Sequence, residues 1–125
     1  MPSRKNRAPS LPAATPIGRL ALALARRADP KHPPIHVAAS ARRAQALADA
    51  ARALCPEAAV AHLPGWDCFP YDRMPPSKAC MGARMGVLRW LTEAAHRPGL
   101  VLTTPAALVR RVPPRTVWAY AHHDI

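Results

Sequence analysis

Three of the six aromatic residues in this chain of 125 stand within six positions, at Trp66, Phe69 and Tyr71. Pro64 and Pro70 accompany them, and proline removes a backbone donor and disfavours helical geometry in the preceding residue. The pattern predicts a stiff, non-repetitive loop that contacts a partner. The alternative is that Trp66 and Tyr71 plug a gap in the protein's own core. The candidate partner contacts are Trp66, Phe69, Tyr71, Asp72 and Arg73.

A second candidate site combines hydroxyl groups and arginines near the ends of predicted strands. Ser40 follows one predicted strand and Thr104 follows another. In parallel sheets, ligands bind beyond the carboxyl ends of the strands, where helix N-termini present free N–H groups to anions. The alternative is that both residues are ordinary helix caps. The candidate phosphate contacts are Ser40, Arg42, Arg43, Thr103, Thr104, Arg110 and Arg111.

The remaining reactive residues show no pattern for covalent or metal-assisted catalysis. Cys68 has His62 six positions earlier but no orienting third group, so a structural thiol is expected. The three cysteines form no Cys-x-x-Cys pair and the six histidines lack metal-ligand spacing. We therefore expect reduced thiols in a cytoplasmic protein, with no metal and no cofactor. Asp67 and Asp72 are expected to tie the loop by accepting backbone N–H groups.

Independent ATP hydrolysis is not expected. A nucleotide motor needs a glycine-rich loop that ends in Lys-Ser or Lys-Thr, because close backbone approach and the lysine together hold the triphosphate. This chain contains no such loop, and no two of its seven acidic residues are adjacent to hold magnesium. The sequence therefore indicates that the protein is not an enzyme.

The charge of the chain indicates what kind of partner it attracts. Lys and Arg number 18 against 7 for Asp and Glu, which gives a net charge of +11. Such a field attracts polyanions, so weak nucleic-acid binding is expected, unless the arginines are simply spread over solvated faces. The apolar run Leu20–Ala25 has six residues and is too short to span a bilayer, so no membrane partner is expected.

Short apolar runs after prolines predict strands, and the segments between them predict helices. Strand–helix–strand units with crossovers of a dozen or more residues are typical of a parallel sheet covered by helices. The sequence therefore predicts a small α/β domain over residues 15–118, with a parallel sheet flanked by helices. The predicted strands are Ile35–Ala39, Ala58–Leu63, Leu100–Thr103 and Thr116–Tyr120.

Ser or Thr at a cap position, often followed by proline, marks where each predicted helix begins. The inward face of the second helix is expected to end at Leu54. In the third helix we expect Met81, Met85, Leu88 and Leu91 or Thr92 to face inward and Arg84 to lie elsewhere. The predicted helices run from the Thr15 cap to about Ala28, from the Ser40 cap to the stop at Pro56, from Ser77 to about Ala95, and from Ala106 to Arg111.

Three segments follow one another in a distinctive order. Leu63–Arg73 contains Trp-Asp-x-x-Pro-Tyr-Asp, Met85–Leu91 follows, and Leu100–Arg115 contains Thr-Thr and Arg-Val-Pro-Pro. Together they resemble the N-terminal region of bacterial transcription-repair coupling factor, the Mfd family, over Ile17–Trp118. The resemblance implies a domain similar to the first helicase-like domain of UvrB, a RecA-like half-domain that has lost its nucleotide site.

The parent family is an ATP-dependent DNA translocase, and its motor, RNA-polymerase-binding and UvrA-contacting parts lie beyond the point where this sequence stops. The resemblance therefore implies a non-catalytic scaffold or regulatory contact surface in DNA repair. Its partners would be other repair or transcription proteins, or the missing domains of the parent protein. UvrB has a strand-separating hairpin after the equivalent aromatic segment, but here only Met74–Pro76 separate Arg73 from the next helix.

Two further expectations concern the ends of the chain. Residues 1–14 are expected to form a basic disordered tail. Residues 119–125 are expected to form a C-terminal tail that is cut short relative to the family. Two alternatives to the repair module remain, a free-standing protein that binds nucleic-acid backbone and a truncated remnant without a function of its own.

Overall fold

The computed structural model describes residues 15–69, 71–93 and 95–120. The predicted tail of residues 1–14, and residues 121–125 of the predicted C-terminal tail, lie outside the described residues. A 3-10 turn over Pro56–Ala58 separates the second helix from the second strand. In chain order the elements are α1 Ile17–Ala25, β1 Ile35–Val37, α2 Ala41–Leu54, β2 Val60–His62, α3 Lys78–Thr92, β3 Leu100–Thr103, α4 Pro105–Leu108 and α5 Arg115–Tyr120.

The three strands form one parallel sheet with β3 in the centre, between β1 and β2. Ile35 of β1 pairs with Val101, and Val60 of β2 pairs with Leu100. Because all three strands run in the same direction, the segments that follow them meet at one edge of the sheet. The predicted parallel sheet is confirmed, in a mixed α/β fold with helices before, between and after the strands.

The main core lies between the sheet and the helices α1 and α2. Leu47 of α2 and Leu100 and Leu102 of β3 are fully buried in it. Alanines from both helices, among them Ala21 of α1 and Ala44 and Ala48 of α2, are buried in the same cluster. Burial of one leucine side chain contributes about 1.5–3 kcal/mol, so these few leucines carry much of the apolar stabilisation.

Side-chain caps begin three of the helices, as predicted. Ser40, Ser77 and Thr104 each accept a backbone N–H from the residue three positions later, at 3.2, 3.1 and 3.3 Å. The predicted cap at Thr15 is wrong, because α1 begins after Pro16, whose extended ψ of 142° places it outside the helix. Thr15 is buried instead.

The predicted strand over Thr116–Tyr120 is wrong, because α5 covers these residues. β-branched and aromatic side chains favoured a strand there. Two prolines precede α5, however, and proline is well suited to the first turn of a helix. The N–H of Val117 donates to the carbonyl of Pro114 at 2.9 Å, which closes that turn.

Two side chains differ in burial from the prediction. Leu54, at the last position of α2, is 51% exposed instead of buried. Arg84 was expected to lie off the inward stripe, but it is 3% exposed and donates to the backbone carbonyl of Pro64. In α3 only Leu88 of the predicted inward stripe is buried, whereas Met81 is 38% exposed and Thr92 is exposed.

Candidate functional site

The aromatic loop, residues 63–77, connects β2 to α3 and is tied at two points. Asp67 Oδ1 accepts the N–H of Ser77 at 3.0 Å, and Asp72 Oδ2 accepts the N–H of Phe69 at 2.9 Å. The hydrogen bonds with Ser77 lower the pKa of the Asp67 carboxyl, because they favour its charged form. The predicted loop-tying role of both carboxylates is confirmed.

A buried cation holds the loop against the rest of the protein. Arg84 Nη1 donates to the carbonyl of Pro64 at 2.6 Å, and Nη1 and Nη2 both donate to the carbonyl of Ala107 at 3.4 Å. The Arg84 Cζ lies 5.3 Å from the centroid of the Trp66 ring, within the range of a cation–π contact. One side chain therefore joins α3, the aromatic loop and α4.

The surroundings of Arg84 shift the pKa of its guanidinium. Burial lowers the pKa of the guanidinium, and the positive charge of Arg110 lowers it further, whereas Cys80 opposes this shift. Cys80 Sγ donates to the carbonyl of Gly65 at 3.2 Å and adds another tie to the loop. The i, i+4 spacing of Cys80, Arg84 and Leu88 places all three on one face of α3. That spacing is a local signal for the face on which Arg84 lies, but it does not reveal which groups Arg84 binds.

The side chains at the tip of the loop face solvent. Phe69 is 79% exposed and Tyr71 is 97% exposed, so Tyr71 does not plug the core. Trp66 is half-buried beside Arg84 and supports the loop from beneath. Phe69 and Arg73 line a shallow depression of about 440 Å³ together with Arg110. The five predicted contact residues thus divide, with Trp66 and Asp72 holding the loop and the other three presented at its surface.

A cavity of about 540 Å³ lies at the carboxyl edge of the sheet, lined by residues that follow all three strands. It brings together Ser40 and Thr104, two of the predicted phosphate contacts, although both hydroxyl groups also cap helices. His62, at the end of β2, lines the same cavity. Burial lowers the pKa of His62 and the charge of Arg52 lowers it further, whereas Asp49 opposes this shift.

Two other predicted phosphate contacts, Thr103 and Arg43, make hydrogen bonds to backbone carbonyls of the protein itself. The prediction for Thr103 is wrong, because its side chain is fully buried and its hydroxyl donates to the carbonyl of Leu63 at 3.1 Å. The Nη2 of Arg43 donates to the carbonyl of Thr15 at 3.4 Å, across from α2 to the start of α1. Arg42 is exposed in the first turn of α2.

The last two predicted phosphate contacts lie at separate surfaces. Arg110 lines the depression beside the aromatic loop, and Arg111 lines a different groove. We name this second feature the α3 groove, a concavity of about 400 Å³ between α3 and the chain that follows α4. Trp66 and Arg84 also line it. Its other lining residues are Met81, Met85, Leu88, Arg111, Val112 and Pro113.

No protein-family model matches this chain, and no curated protein matches its sequence. In the part of the chain that the structure describes, no helix is long and apolar enough to cross a membrane. Within the same residues, no three His, Cys, Asp or Glu side chains come together to hold a metal ion. The likeness to transcription-repair coupling factors therefore stays a prediction from motifs, and any functional proposal depends on the geometry of the surface.

Proposed function

We propose that this chain is a non-catalytic RecA-like module of a transcription-repair coupling factor, which serves as a contact surface for other repair or transcription proteins. The observation that carries the proposal is the construction of the aromatic loop. Arg84 and Asp67 hold it in place, while Phe69 and Tyr71 stand exposed at its tip. A rigid loop with exposed aromatics binds at a low entropic cost and supplies the side chains that dominate protein interfaces.

Two features support the class of protein. The three-stranded parallel sheet with flanking helices is the arrangement expected of a RecA-like half-domain. The motifs in Leu63–Arg73 and Leu100–Arg115 stand in the order that the coupling factors have. The missing glycine-rich loop with Lys-Ser or Lys-Thr supports a module without a nucleotide site.

The proposal is tested by co-purification with repair and transcription proteins. The double variant Phe69→Ala/Tyr71→Ala removes the exposed aromatic surface without touching Arg84 or Asp67. Val109→Ala is the matched control, because Val109 is 78% exposed and lies outside the loop. We expect partners to be recovered with the natural sequence and with the control, and to be lost with the double variant.

Two results would contradict the proposal. The first is equal recovery of the same partners by the double variant and the control. The second is ATP turnover by the purified chain above the background of a mock purification, because a module without a nucleotide site hydrolyses nothing.

A second candidate function, binding of nucleic-acid backbone, is favoured by the cavity at the sheet edge. Ser40 and Thr104 both line it, Arg42 is exposed on the helix that Ser40 caps, and the net charge is +11. Binding of this kind weakens with salt, with a slope of about −0.9 per neutralised phosphate. Fluorescence anisotropy of labelled DNA at several salt concentrations measures that slope. Binding that is absent or insensitive to salt would reject this second function.

A further inference from the structure

We propose that the α3 groove is a second binding site, which takes an amphipathic helix of a partner protein with acidic residues beside its apolar face. The inference rests on the proposed contact function but uses a different surface from the exposed aromatics of the loop. Either surface can therefore fail its own test while the other passes.

The lining of the groove is apolar and adaptable. Met81 is 38% exposed and Val112 is 48% exposed on facing sides, with the half-buried Met85 and the buried Leu88 between them. Methionine side chains adjust to differently shaped apolar partners. A volume of about 400 Å³ accommodates several side chains from one face of a helix.

The groove is already formed before any partner arrives. Arg84 lines it and binds the carbonyls of Pro64 and Ala107, which fixes α3 relative to α4. Pro113 and Pro114 restrict the backbone on the facing side, because the proline ring locks φ. A preformed site loses less conformational freedom on binding, so more of the apolar contact energy appears as affinity.

The charges around the groove select the partner. The two charged residues in its lining, Arg84 and Arg111, are both basic. Glu93, on the same helix as Arg84, lies outside the lining and its carboxylate is 3.8 Å from the guanidinium of Arg89. Arg111 is exposed and lines the groove, so carboxylates flanking the apolar face of a bound helix would meet positive charge.

The same charges argue against other occupants. A second copy of this chain also carries +11 and would be repelled. The first seven residues of the chain contain three basic residues and no acidic residue, so they do not complement the groove either. Nucleic acid would complement the charge, but its phosphate backbone gains little from the apolar side chains of Met85 and Leu88 in the lining.

The experiment uses the full chain with ¹³C-labelled methionine methyl groups, observed by NMR. The probe is a synthetic peptide of about 16 residues with leucine at helical i, i+3, i+4 and i+7 positions and glutamate on the other face. We expect the Met81 and Met85 signals to shift and saturate. Met74, which lines the depression beside the loop and not the groove, is the internal control and should not shift.

Matched variants connect the binding to the groove. Val112→Asp should weaken the affinity for the peptide about tenfold, because it places a carboxylate against the acidic probe. Val109→Asp has the same charge change at a more exposed position outside the groove and should alter the affinity less than about twofold. A peptide with lysine in place of glutamate should not bind.

Several results would overturn the inference. They are no shift at Met81 or Met85, shifts at Met74 alone, or equal binding of the glutamate and lysine peptides. Displacement of the peptide by a single-stranded oligonucleotide that shifts Met81 and Met85 would show a nucleic-acid site instead. The variant Phe69→Ala/Tyr71→Ala should bind the peptide normally, which separates failure of the groove from failure of the loop.

Discussion

The core beneath α1 and α2 and the aromatic loop are stabilised by different forces. In the core, Leu47, Leu100 and Leu102 are fully buried, and apolar packing is spread over many small contacts. In the loop, position depends on a few polar atoms, above all the guanidinium of Arg84 and the carboxylate of Asp67. Apolar packing is not directional, whereas a hydrogen bond is lost when one partner is removed.

The difference explains how a small protein can present an exposed aromatic surface. Phe69 and Tyr71 are mostly exposed and contribute little burial to the loop that carries them, so other residues must hold its shape. Arg84 does so from below, by binding carbonyls that would otherwise be unsatisfied. We therefore expect the loop to loosen while the sheet stays folded.

Leu47→Ala is expected to have the largest effect, because it opens a cavity in the α1–α2 core. Replacement of a fully buried leucine by alanine costs about 2–5 kcal/mol of the free energy of unfolding. Leu54→Ala in the same helix is the control and should cost far less, because Leu54 is 51% exposed. Chemical denaturation measures both. Equal losses would show that the core does not lie where the structure places it.

Arg84→Met should loosen the loop more than the core. It leaves the carbonyls of Pro64 and Ala107 without their buried donor, at a cost of about 1–3 kcal/mol. Hydrogen exchange should speed up at loop amides and stay slow in β3. Arg89→Met, at an exposed ion pair on the same helix, should cost about 0.5 kcal/mol or less. Uniform exchange across the protein would contradict independent stabilisation of the two regions.

Gly82→Ala should stabilise α3, the helix that supports the loop. Gly82 lies in the helix interior and an added Cβ meets nothing there, so a gain of about 0.5–1 kcal/mol is expected. Gly99→Ala is the contrasting change, because its Cβ would collide with the carbonyl oxygen of Ala58. The midpoint temperature of thermal unfolding should rise for Gly82→Ala and fall for Gly99→Ala, relative to the natural sequence. A loss with Gly82→Ala would mean that α3 is packed more tightly than described.

Changes of stability with pH are expected to be the smallest effects, and the pH at which they occur should distinguish the sheet from the loop. Burial lowers the pKa of His36 and His62 below the ordinary value of 6.5, and Arg43 and Arg52 lower them further. The unfolded chain then binds more protons, so the contribution of these two histidines to the free energy of unfolding is present above pH 6.5 and is lost as pH falls through the folded pKa values. Denaturation from pH 8 downward measures this loss, which is expected to vanish in His36→Gln/His62→Gln.

The aromatic loop should respond to pH over a lower range than the sheet does. Hydrogen bonds to Ser77 lower the pKa of Asp67 below its ordinary value of 3.8, so the tie is present above that pH and is lost as pH falls through the folded value. The protection factor of the Ser77 amide, which corrects for the intrinsic pH dependence of exchange, should therefore fall only at acid pH, and Asp67→Asn should remove the transition. A loss of protection over the same pH range as the histidine effect would join the two regions into one unit.

Local signals made the elements predictable. Ser40, Ser77 and Thr104 cap their helices with side chains three residues away from the N–H groups they bind, so the information lies within one turn. Prolines mark most of the breaks between elements. The prediction of a strand at Thr116–Tyr120 was wrong, because the β propensity of these residues competed with a helical turn that the preceding prolines favour. Local preferences alone did not decide between the two.

The candidate site was predictable in part. The loop and the tying role of Asp67 and Asp72 follow from residue types and short spacing. The inward position of Arg84 depends on carbonyls 20 and 23 residues away along the chain, at Pro64 and Ala107. No property of α3 by itself reveals those partners, and an arginine on a helix is normally read as solvent-facing.

The sequence by itself determined the caps that begin three helices and the aromatic loop, because these depend on neighbours within a few positions. It also determined the parallel α/β class, because the strands alternate with crossover segments long enough to hold a helix. Only the tertiary structure decided which side chains are exposed, since burial depends on segments that approach from far along the chain. It exposed Tyr71, buried Thr103 and Arg84, and opened a groove between α3 and the chain after α4.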